Sequence, residues 1–311
     1  MKKIIAILLT VVLLLAVGCA QKPAEPLKIA ALKGPTGMGI SYLMEEQSDR
    51  YSVELLDAPD TVVGKFVSGE IDVAAVPVNL AATLYNKTEG NVVVICVDTL
   101  GVLYVLENGD TVNAFSDLAG KTIQATGQGS TPQFVLDYLL SLNNMTDQVT
   151  VEYVGEHTAL AALLASGEST LGMLPEPFVS SVTLKNADTR IAIDLNQEWE
   201  AATGTKLVQG VYIANREYYN ENSKVIAQFL TDYLDSVNRV NTSADAAELI
   251  AKLGIVASAD IAKVAIPRSN IVCITGEDMV NSATAVLNIL FNANPASVGG
   301  ALPGDDLFYA G

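Results

Sequence analysis

The segments VSGEIDVAAVPVN (67–79) and ASGESTLGMLPEP (165–177) follow one pattern, in which Ser-Gly-Glu precedes an apolar strand that ends at a proline. The matching residues keep a constant offset of 98 positions, so that Pro77 corresponds to Pro175. Short β-rich runs alternate with amphipathic helical stretches around each copy, which is typical of α/β units with parallel sheets. The repeat therefore predicts two related halves of one α/β fold.

Both halves are predicted to have the same order of elements: a strand, a loop rich in glycine, a helix, a second strand, a second helix and a third strand. In the first half we expect strands at 27–32, 51–56 and 71–79, the loop at 33–39, and Asp60 as the cap of the second helix. In the second half we expect strands at 121–126, 149–154 and 169–177, the loop at 127–132, and Thr131 as a helix cap before Pro132. Ligands of open α/β sheets bind at the carboxyl ends of strands, so these loops are the candidate binding elements.

The composition excludes several classes of function. The chain has 311 residues and a mean hydropathy of +0.33, which is enough apolar material for about two folded domains. Its formal net charge is −17 with 18 basic residues, which disfavours a nucleic-acid partner. One histidine and three cysteines do not suffice for a transition-metal cluster, so we expect no metal site and no cofactor.

The first residues have the pattern of an export signal. Two lysines precede the apolar run IIAILLTVVLLLAVG (4–18), which is shorter than the roughly 20 residues of a membrane span. The tail AVGC (16–19) is similar to a bacterial lipobox, which predicts a signal peptide at 1–18, lipidation of Cys19 and a lipidated tether at 19–26. The alternative is ordinary signal cleavage beside a cysteine that has no role.

Two further β-rich runs indicate that the chain crosses between the halves twice. They are 92–109 and 207–219, and they predict a discontinuous first lobe at 27–107 and 208–311 and a second lobe at 108–207. Two β crossovers form a hinge that permits closure around a ligand in the cleft between the lobes. Cys96 and Cys273 lie in apolar runs, so we expect buried free thiols rather than a disulfide.

Four stretches resemble a known family. The segment FSDLAGKTIQATGQGSTPQFVLDYLL (115–140) has a D-L-x-G-K turn, a strand, a Gly/Ser loop and a helix, and LPEPFVSSV (174–182) has a Glu-Pro loop. With IPRSNIVCITGEDM (266–279) and NPASVGGALPGDDLFY (294–309), they resemble the type II periplasmic-type substrate-binding proteins of ABC transporters, in the subgroup for nitrate, sulfonates, taurine and thiamine precursors. The resemblance implies a two-lobed α/β fold with two β crossovers as hinge and a ligand cleft between the lobes.

The resemblance also implies which residues contact a ligand. They lie in the loop after the first strand, the loop after the third strand, the first crossover, the helix start of the second half and the Glu-Pro loop. They are Gly34, Pro35, Thr36, Gly37, Met38, Pro77, Val78, Asn79, Thr99, Gly129, Ser130, Thr131 and Glu176. These loops contain no arginine to hold a nitrate or sulfonate through two parallel hydrogen bonds, which favours a neutral or cationic ligand.

Several side chains have two interpretations from the sequence. Glu176 stands between two prolines and either accepts hydrogen bonds from a cationic or amine ligand or faces solvent. Lys33 is expected as a solvated surface residue, and His157 as a solvated or capping histidine at a helix start. Trp199 either stacks on a ligand ring or packs in the core. Gly127, Gly129 and Ser130 are expected to leave free amides at the positive end of a helix dipole.

The predicted function is that of an extracytoplasmic solute-binding lipoprotein, not an enzyme. It would capture a small nutrient between its lobes and deliver it to the permease of an ABC importer, as a monomer anchored to the outer face of the bacterial cell membrane. The alternatives are an enzyme on the same fold, similar to a thiamine-precursor synthase or a futalosine-pathway dehydratase, or a ligand-gated sensor.

Overall fold

A computed structural model describes residues 25–309. The predicted signal peptide at 1–18 and Cys19 lie outside the described residues, as does the predicted tether except for its last two positions. Among the helices of residues 25–309, none combines the length and the apolar character needed to cross a membrane.

Within residues 25–309 the chain forms eleven strands. They are β1 (Leu27–Leu32), β2 (Tyr51–Leu56), β3 (Val73–Pro77), β4 (Val92–Leu100), β5 (Leu103–Asn108), β6 (Thr122–Ala125), β7 (Thr150–Tyr153), β8 (Leu171–Pro175), β9 (Thr189–Asp194), β10 (Val208–Asn215) and β11 (Ile271–Ile274). The strands predicted at 27–32 and 51–56 have these bounds, and the other predicted strands of the repeat are each shorter by two to four residues.

The strands form two sheets whose centres are equivalent. The six-stranded sheet has the order β11-β4-β10-β3-β1-β2, and the five-stranded sheet has the order β7-β6-β8-β5-β9. In each sheet the first strand of the repeat lies between the second and third strands, with parallel pairing. The third strand then pairs antiparallel with a crossover strand, β10 or β5. The two related halves are therefore present, and the α/β two-lobed fold is confirmed. We call the six-stranded sheet with its helices the first lobe and the five-stranded sheet with its helices the second lobe.

Helices cover the sheets and connect their strands. They are α1 (Pro35–Gly39), α2 (Ser41–Glu46), α3 (Pro59–Val67), α4 (Val78–Lys87), α5 (Thr131–Leu142), α6 (His157–Ser166), α7 (Phe178–Lys185), α8 (Leu195–Thr203), α9 (Arg216–Glu221), α10 (Ser223–Thr242), α11 (Ala246–Lys252), α12 (Ala259–Ala265) and α13 (Gly276–Ala293). Helices α4 and α13 pack on one face of the six-stranded sheet and α1, α10 and α12 on the other. Strand β4 is consequently buried along nearly its whole length.

The chain passes between the two sheets twice. Strand β4 ends at Leu100 and β5 begins at Leu103 in the other sheet, and the chain returns after α8 into β10. The sequence interpretation ended the first part of the first lobe at 107, whereas residues from Leu103 onward pair in the second sheet. We therefore propose residues 101–102 as the first crossover. The Val102 amide donates to Gln209 Oε1 at 3.2 Å, so the two crossovers are joined side by side.

Three helix starts differ from the prediction. Residues Pro35–Gly39 form a short helix where a loop was expected, because proline at the first helical position pre-sets the backbone. Asp60 lies in the first turn of α3, whose N-cap is Ala58. Thr131 is the first residue of α5, whose N-cap is Ser130.

Two further sequence interpretations are resolved by packing. Trp199 is fully buried, and its ring lies 5.3 Å from that of Tyr138, so it packs in the core and does not stack on a ligand. Cys96 and Cys273 are both free thiols, the first fully buried and the second half-buried.

Candidate ligand-binding site

A pocket opens between the two lobes, and we call it the interlobe pocket. Its lining residues are Leu32, Lys33, Pro35, Thr36, Pro59, Val76, Pro77, Thr99, Val102, Ser130, Pro132, His157, Pro175, Glu176, Phe178, Gln209 and Gly210. Its cavity volume is about 140 Å³. A cavity of about this volume holds a molecule of the size of benzene, so the pocket as described accommodates a compact ligand.

Equivalent positions of the two halves face each other in this pocket. Pro59 and His157 are 98 residues apart, as are Pro77 and Pro175, and all four line the pocket. Pro59 and His157 each begin a helix after a second strand, whereas Pro77 and Pro175 each end a third strand. The sequence interpretation missed Pro59 and His157, although the repeat offset relates them as it relates the two prolines that it used.

The predicted residues of the first loop divide between the pocket and the core. Pro35 and Thr36 line the pocket, and Thr36 Oγ1 donates to the Leu32 carbonyl at 2.8 Å, which ties α1 to the end of β1. Met38 is fully buried in the core. A Cβ atom at Gly37 would lie 2.8 Å from the Leu32 carbonyl oxygen, so this position accepts only glycine without a shift of the backbone.

Gly34 is placed at the contact between the lobes. Its φ of +106° lies in the region that favours glycine. A Cβ atom there would lie 3.5 Å from Cδ of Pro177 in the second lobe. This is an ordinary van der Waals distance, so it is the positive φ that favours glycine at this position, and Gly34 is not among the residues that line the pocket.

Asn79 and Thr131 join the two lobes. Pro77 and Thr99 line the pocket, but Val78 and Asn79 start helix α4 and are almost fully buried. Thr131 Oγ1 donates to Asn79 Oδ1 at 2.9 Å, and Asn79 Nδ2 donates to the carbonyl of Ser297 at 3.1 Å. The structure thus uses these two polar side chains for a buried hydrogen bond between the lobes.

In the glycine loop before α5, two of the three amides that were expected to be free, those of Gly129 and Ser130, are hydrogen-bonded. The Gly129 amide donates to Gln133 Oε1 at 2.8 Å, and the Ser130 amide donates to the Gly127 carbonyl at 3.2 Å. Gly127 and Gly129 both have positive φ, so the turn itself requires glycine at these positions. Ser130 lines the pocket, whereas Gly129 is not among the lining residues.

Glu176 lines the pocket and is bonded across the lobes. Its side chain is 0% exposed, and its Oε1 accepts from Arg268 Nε at 2.6 Å. Its Oε2 accepts from the Ser180 hydroxyl at 2.8 Å, and that hydroxyl accepts from Arg268 Nη2 at 2.8 Å. Burial raises the pKa of the Glu176 carboxyl, and the bonds from Ser180 and Arg268 partly offset this. Of the two interpretations of Glu176, the solvent-facing one is therefore excluded, and the partner of its carboxylate is Arg268 of the first lobe.

His157 lines the pocket instead of standing in solvent. Its Nδ1 lies 2.7 Å from Thr126 Oγ1, and its ring centroid lies 5.1 Å from that of Phe178. Burial lowers the pKa of His157 to about 4, so the ring is neutral at physiological pH. It offers the pocket a flat, uncharged surface with a polar edge.

The crossovers form the floor of the pocket. Thr99, Gln209 and Gly210 line it there, and Asp98 of β4 packs against Gly210. A Cβ atom at Gly210 would lie 2.3 Å from Asp98 Oδ1, so the buried carboxylate occupies the space that a side chain would take. Lys33 lies at the mouth, where its Nζ is 2.8 Å from Asp57 Oδ1 and its side chain is 44% exposed.

The family of the chain follows from a comparison with family models. The model described as "Menaquinone biosynthesis" matches residues 35–260, which contain most of the pocket-lining residues. The chain belongs to this menaquinone biosynthesis family. The comparison with curated proteins gave no significant match.

Solved structures share the fold of this menaquinone biosynthesis family member. An ABC transporter protein from Parabacteroides distasonis has a TM-score of 0.78 at 20% identity and covers 92% of this chain and 99% of its own. The alkanesulfonate-binding protein SsuA from Xanthomonas axonopodis pv. citri, bound to MOPS, has a TM-score of 0.71 at 14% identity and coverages of 93% and 100%. The aliphatic sulphonate-binding protein SsuA from Escherichia coli has a TM-score of 0.71 at 15% identity and coverages of 92% and 94%. The fold that the sequence resemblance implied is confirmed.

Proposed function

We propose that this protein is an extracytoplasmic solute-binding protein that captures a small nutrient in the interlobe pocket and delivers it to the permease of an ABC importer. The observation that carries the proposal is the position of the pocket, which both halves of the repeat and both crossovers line. A ligand there contacts both lobes only when they are closed, so binding favours the closed conformation. Two of the solved structures with this fold are sulfonate-binding proteins by name, which supports a binding role.

A screen for ligands tests the proposal directly. The chain from residue 20 onward is produced without the signal, and its thermal unfolding is recorded with each compound of a small-metabolite library. The affinity of each compound that stabilises the protein is then measured by isothermal titration calorimetry. We expect at least one compound to raise the midpoint of unfolding and to bind with one site per chain. The variant Val102→Trp fills the pocket between the crossovers and should abolish binding, whereas a surface change, Leu184→Trp, should not. A chain that no metabolite stabilises would contradict the proposal.

The location and the anchor are part of the same proposal. We propose cleavage after residue 18, lipidation of Cys19 and attachment, as a monomer, to the outer face of the bacterial cell membrane. In cells fed a labelled fatty acid, the wild type and Cys273→Ser should carry label in the membrane fraction, and Cys19→Ala should not. Equal labelling of the wild type and Cys19→Ala would contradict lipidation at this residue.

An enzyme of menaquinone biosynthesis is the second candidate, because the family description favours it. The neutral His157 imidazole in the pocket is a group that could accept a proton from a bound substrate. Incubation of the purified protein with the hits of the screen, followed by mass spectrometry, distinguishes the two candidates. Unchanged compounds support the binding function, and turnover that is lost in His157→Phe supports the enzyme.

A further inference from the structure

The charged groups that line the interlobe pocket are matched by charges of opposite sign. Glu176 pairs with Arg268 at 2.6 Å, and Lys33 pairs with Asp57 at 2.8 Å. The two pairs differ in exposure, because the Glu176 side chain is fully buried while Lys33 and Asp57 stand at the solvent-exposed mouth. Inside the pocket Glu176 is therefore the charged lining residue, and Arg268, which lies outside the lining, neutralises it, so that the net charge of the pair is zero.

The remaining lining inside the pocket is apolar or neutral. It includes the side chains of Val76, Val102 and Phe178 and five prolines, and its polar members are hydroxyl, amide and imidazole groups. A charged ligand group in such a surrounding would lose its hydration without gaining an opposite charge, which disfavours its binding. A ligand carboxylate that bound the remaining N–H groups of Arg268 would lie beside the like charge of Glu176, and a ligand ammonium that bound Glu176 would lie beside the like charge of the guanidinium.

We propose that the Glu176–Arg268 pair makes the interlobe pocket selective for compact ligands without net charge. The pair comes from both lobes, since Glu176 follows β8 of the second lobe and Arg268 ends the short 3₁₀ helix Ile266–Arg268 of the first. Closure therefore brings the two charges together as it encloses the ligand. The inference rests on the proposed function, because it concerns the ligand of the same site.

The test uses three probes that each have six non-hydrogen atoms, as benzene has, and that differ in charge: butyrate, butyramide and pentylamine. Their affinities for the wild type, Glu176→Gln and Arg268→Met are measured by calorimetry at pH 7.5. Glu176→Gln is the decisive variant, because the guanidinium of Arg268 keeps its charge and its bond to Ser180 but loses its carboxylate partner. Arg190→Met is the matched control, since the Arg190–Glu107 pair is a similarly short contact of 2.6 Å that lies within the second lobe.

We expect the wild type and Arg190→Met to prefer the amide at least tenfold over the acid and the amine. Glu176→Gln should move the preference toward the acid by at least tenfold, and Arg268→Met should move it toward the amine. A wild type that does not bind the amide, or that binds a charged probe more tightly, would overturn the inference. A Glu176→Gln variant that weakens all three probes equally would also overturn it, because the pair would then act in closure alone. If the library screen gives hits but the three probes do not bind as expected, the proposed function stands and only this inference fails. If the library screen gives no hit, the proposed function and this inference both fail.

Discussion

At the scale of single residues, the buried carboxyl of Asp98 is the group most sensitive to pH. It is fully buried, and neither of its oxygens has a hydrogen-bond partner among the described residues. The titratable groups around it are Cys96 on β4, Tyr212 on β10, Tyr233 on α10 and Cys273 on β11. Tyrosine and cysteine are either neutral or negatively charged, so these neighbours supply no positive charge that could stabilise the carboxylate.

The predicted consequence is a loss of stability as the pH rises. Burial raises the pKa of Asp98 from 3.8 to about 7, so between these values the folded state binds a proton that the unfolded state releases. The free energy of unfolding should therefore fall from pH 4 to 7 and be constant above, by about 3 kcal/mol between pH 5 and pH 8. Asp98→Asn removes this dependence, and urea unfolding of both proteins at the two pH values measures it.

The matched control removes a carboxylate from the exposed surface. Asp147 is exposed, so Asp147→Asn keeps the buried environment of Asp98 intact. If the difference in unfolding free energy between the wild type and Asp98→Asn is the same at pH 5 and pH 8, the carboxyl is not buried as the structure describes.

At the scale of elements, helix α1 depends on two glycines that allow it to lie close to the sheet and to α10. A Cβ atom at Gly39 would lie 2.5 Å from Tyr233 Oη, and that tyrosine is fully buried against Tyr212 with ring centroids 5.0 Å apart. Gly39→Ala should therefore cost about 1–3 kcal/mol of stability and displace the pocket residues of α1. Thermal unfolding and ligand titration measure the two effects.

The control is a helical glycine with open space around it. A Cβ atom at Gly64 of α3 meets nothing within 4 Å, so Gly64→Ala should stabilise the protein by about 0.5–1 kcal/mol. Equal effects of the two substitutions would show that the contact with Tyr233 does not limit this position.

The elements of the repeat could be predicted because each strand has its own local pattern. The strands at 27–32 and 51–56 and the equivalence of Pro77 and Pro175 follow from alternation and from a constant offset. Helix α1 could not be predicted, since its PTGMG sequence has two glycines; Pro35 pre-sets only the first residue, and packing beneath β1 and against α10 holds the rest. Tertiary contact overrides local propensity here.

The partners of polar site residues could not be predicted for a different reason. Glu176 and Arg268 are 92 positions apart, and Thr131 and Asn79 are 52 apart, so their contacts exist only once the two lobes meet. The sequence indicated Glu176 and Thr131 as polar residues near a cleft. The absence of arginine from the loops favoured a neutral or cationic ligand, but the sequence carried no signal for what each side chain would bond to, and so none for the pairing of Glu176 with Arg268.

At the scale of the whole molecule, the bond between Thr131 and Asn79 should bias the lobes toward closure. Thr131 Oγ1 and Asn79 Oδ1 are both buried, and they come from opposite lobes. Thr131→Val keeps the shape but leaves the Asn79 oxygen without a donor in the closed form, at a cost of about 1 kcal/mol. We expect about fivefold weaker binding of a ligand found in the library screen, and a larger radius of gyration by small-angle X-ray scattering.

Thr183→Val separates closure from the general cost of losing a hydroxyl. Thr183 Oγ1 donates to the Val179 carbonyl at 3.1 Å within α7, so this bond stays inside one lobe. The control should change the stability by a similar amount and leave the affinity and the radius of gyration at wild-type values. If both valine variants bind the ligand equally well, the interlobe hydrogen bond does not contribute to closure, and the closed form depends on the Glu176–Arg268 pair and on the ligand itself.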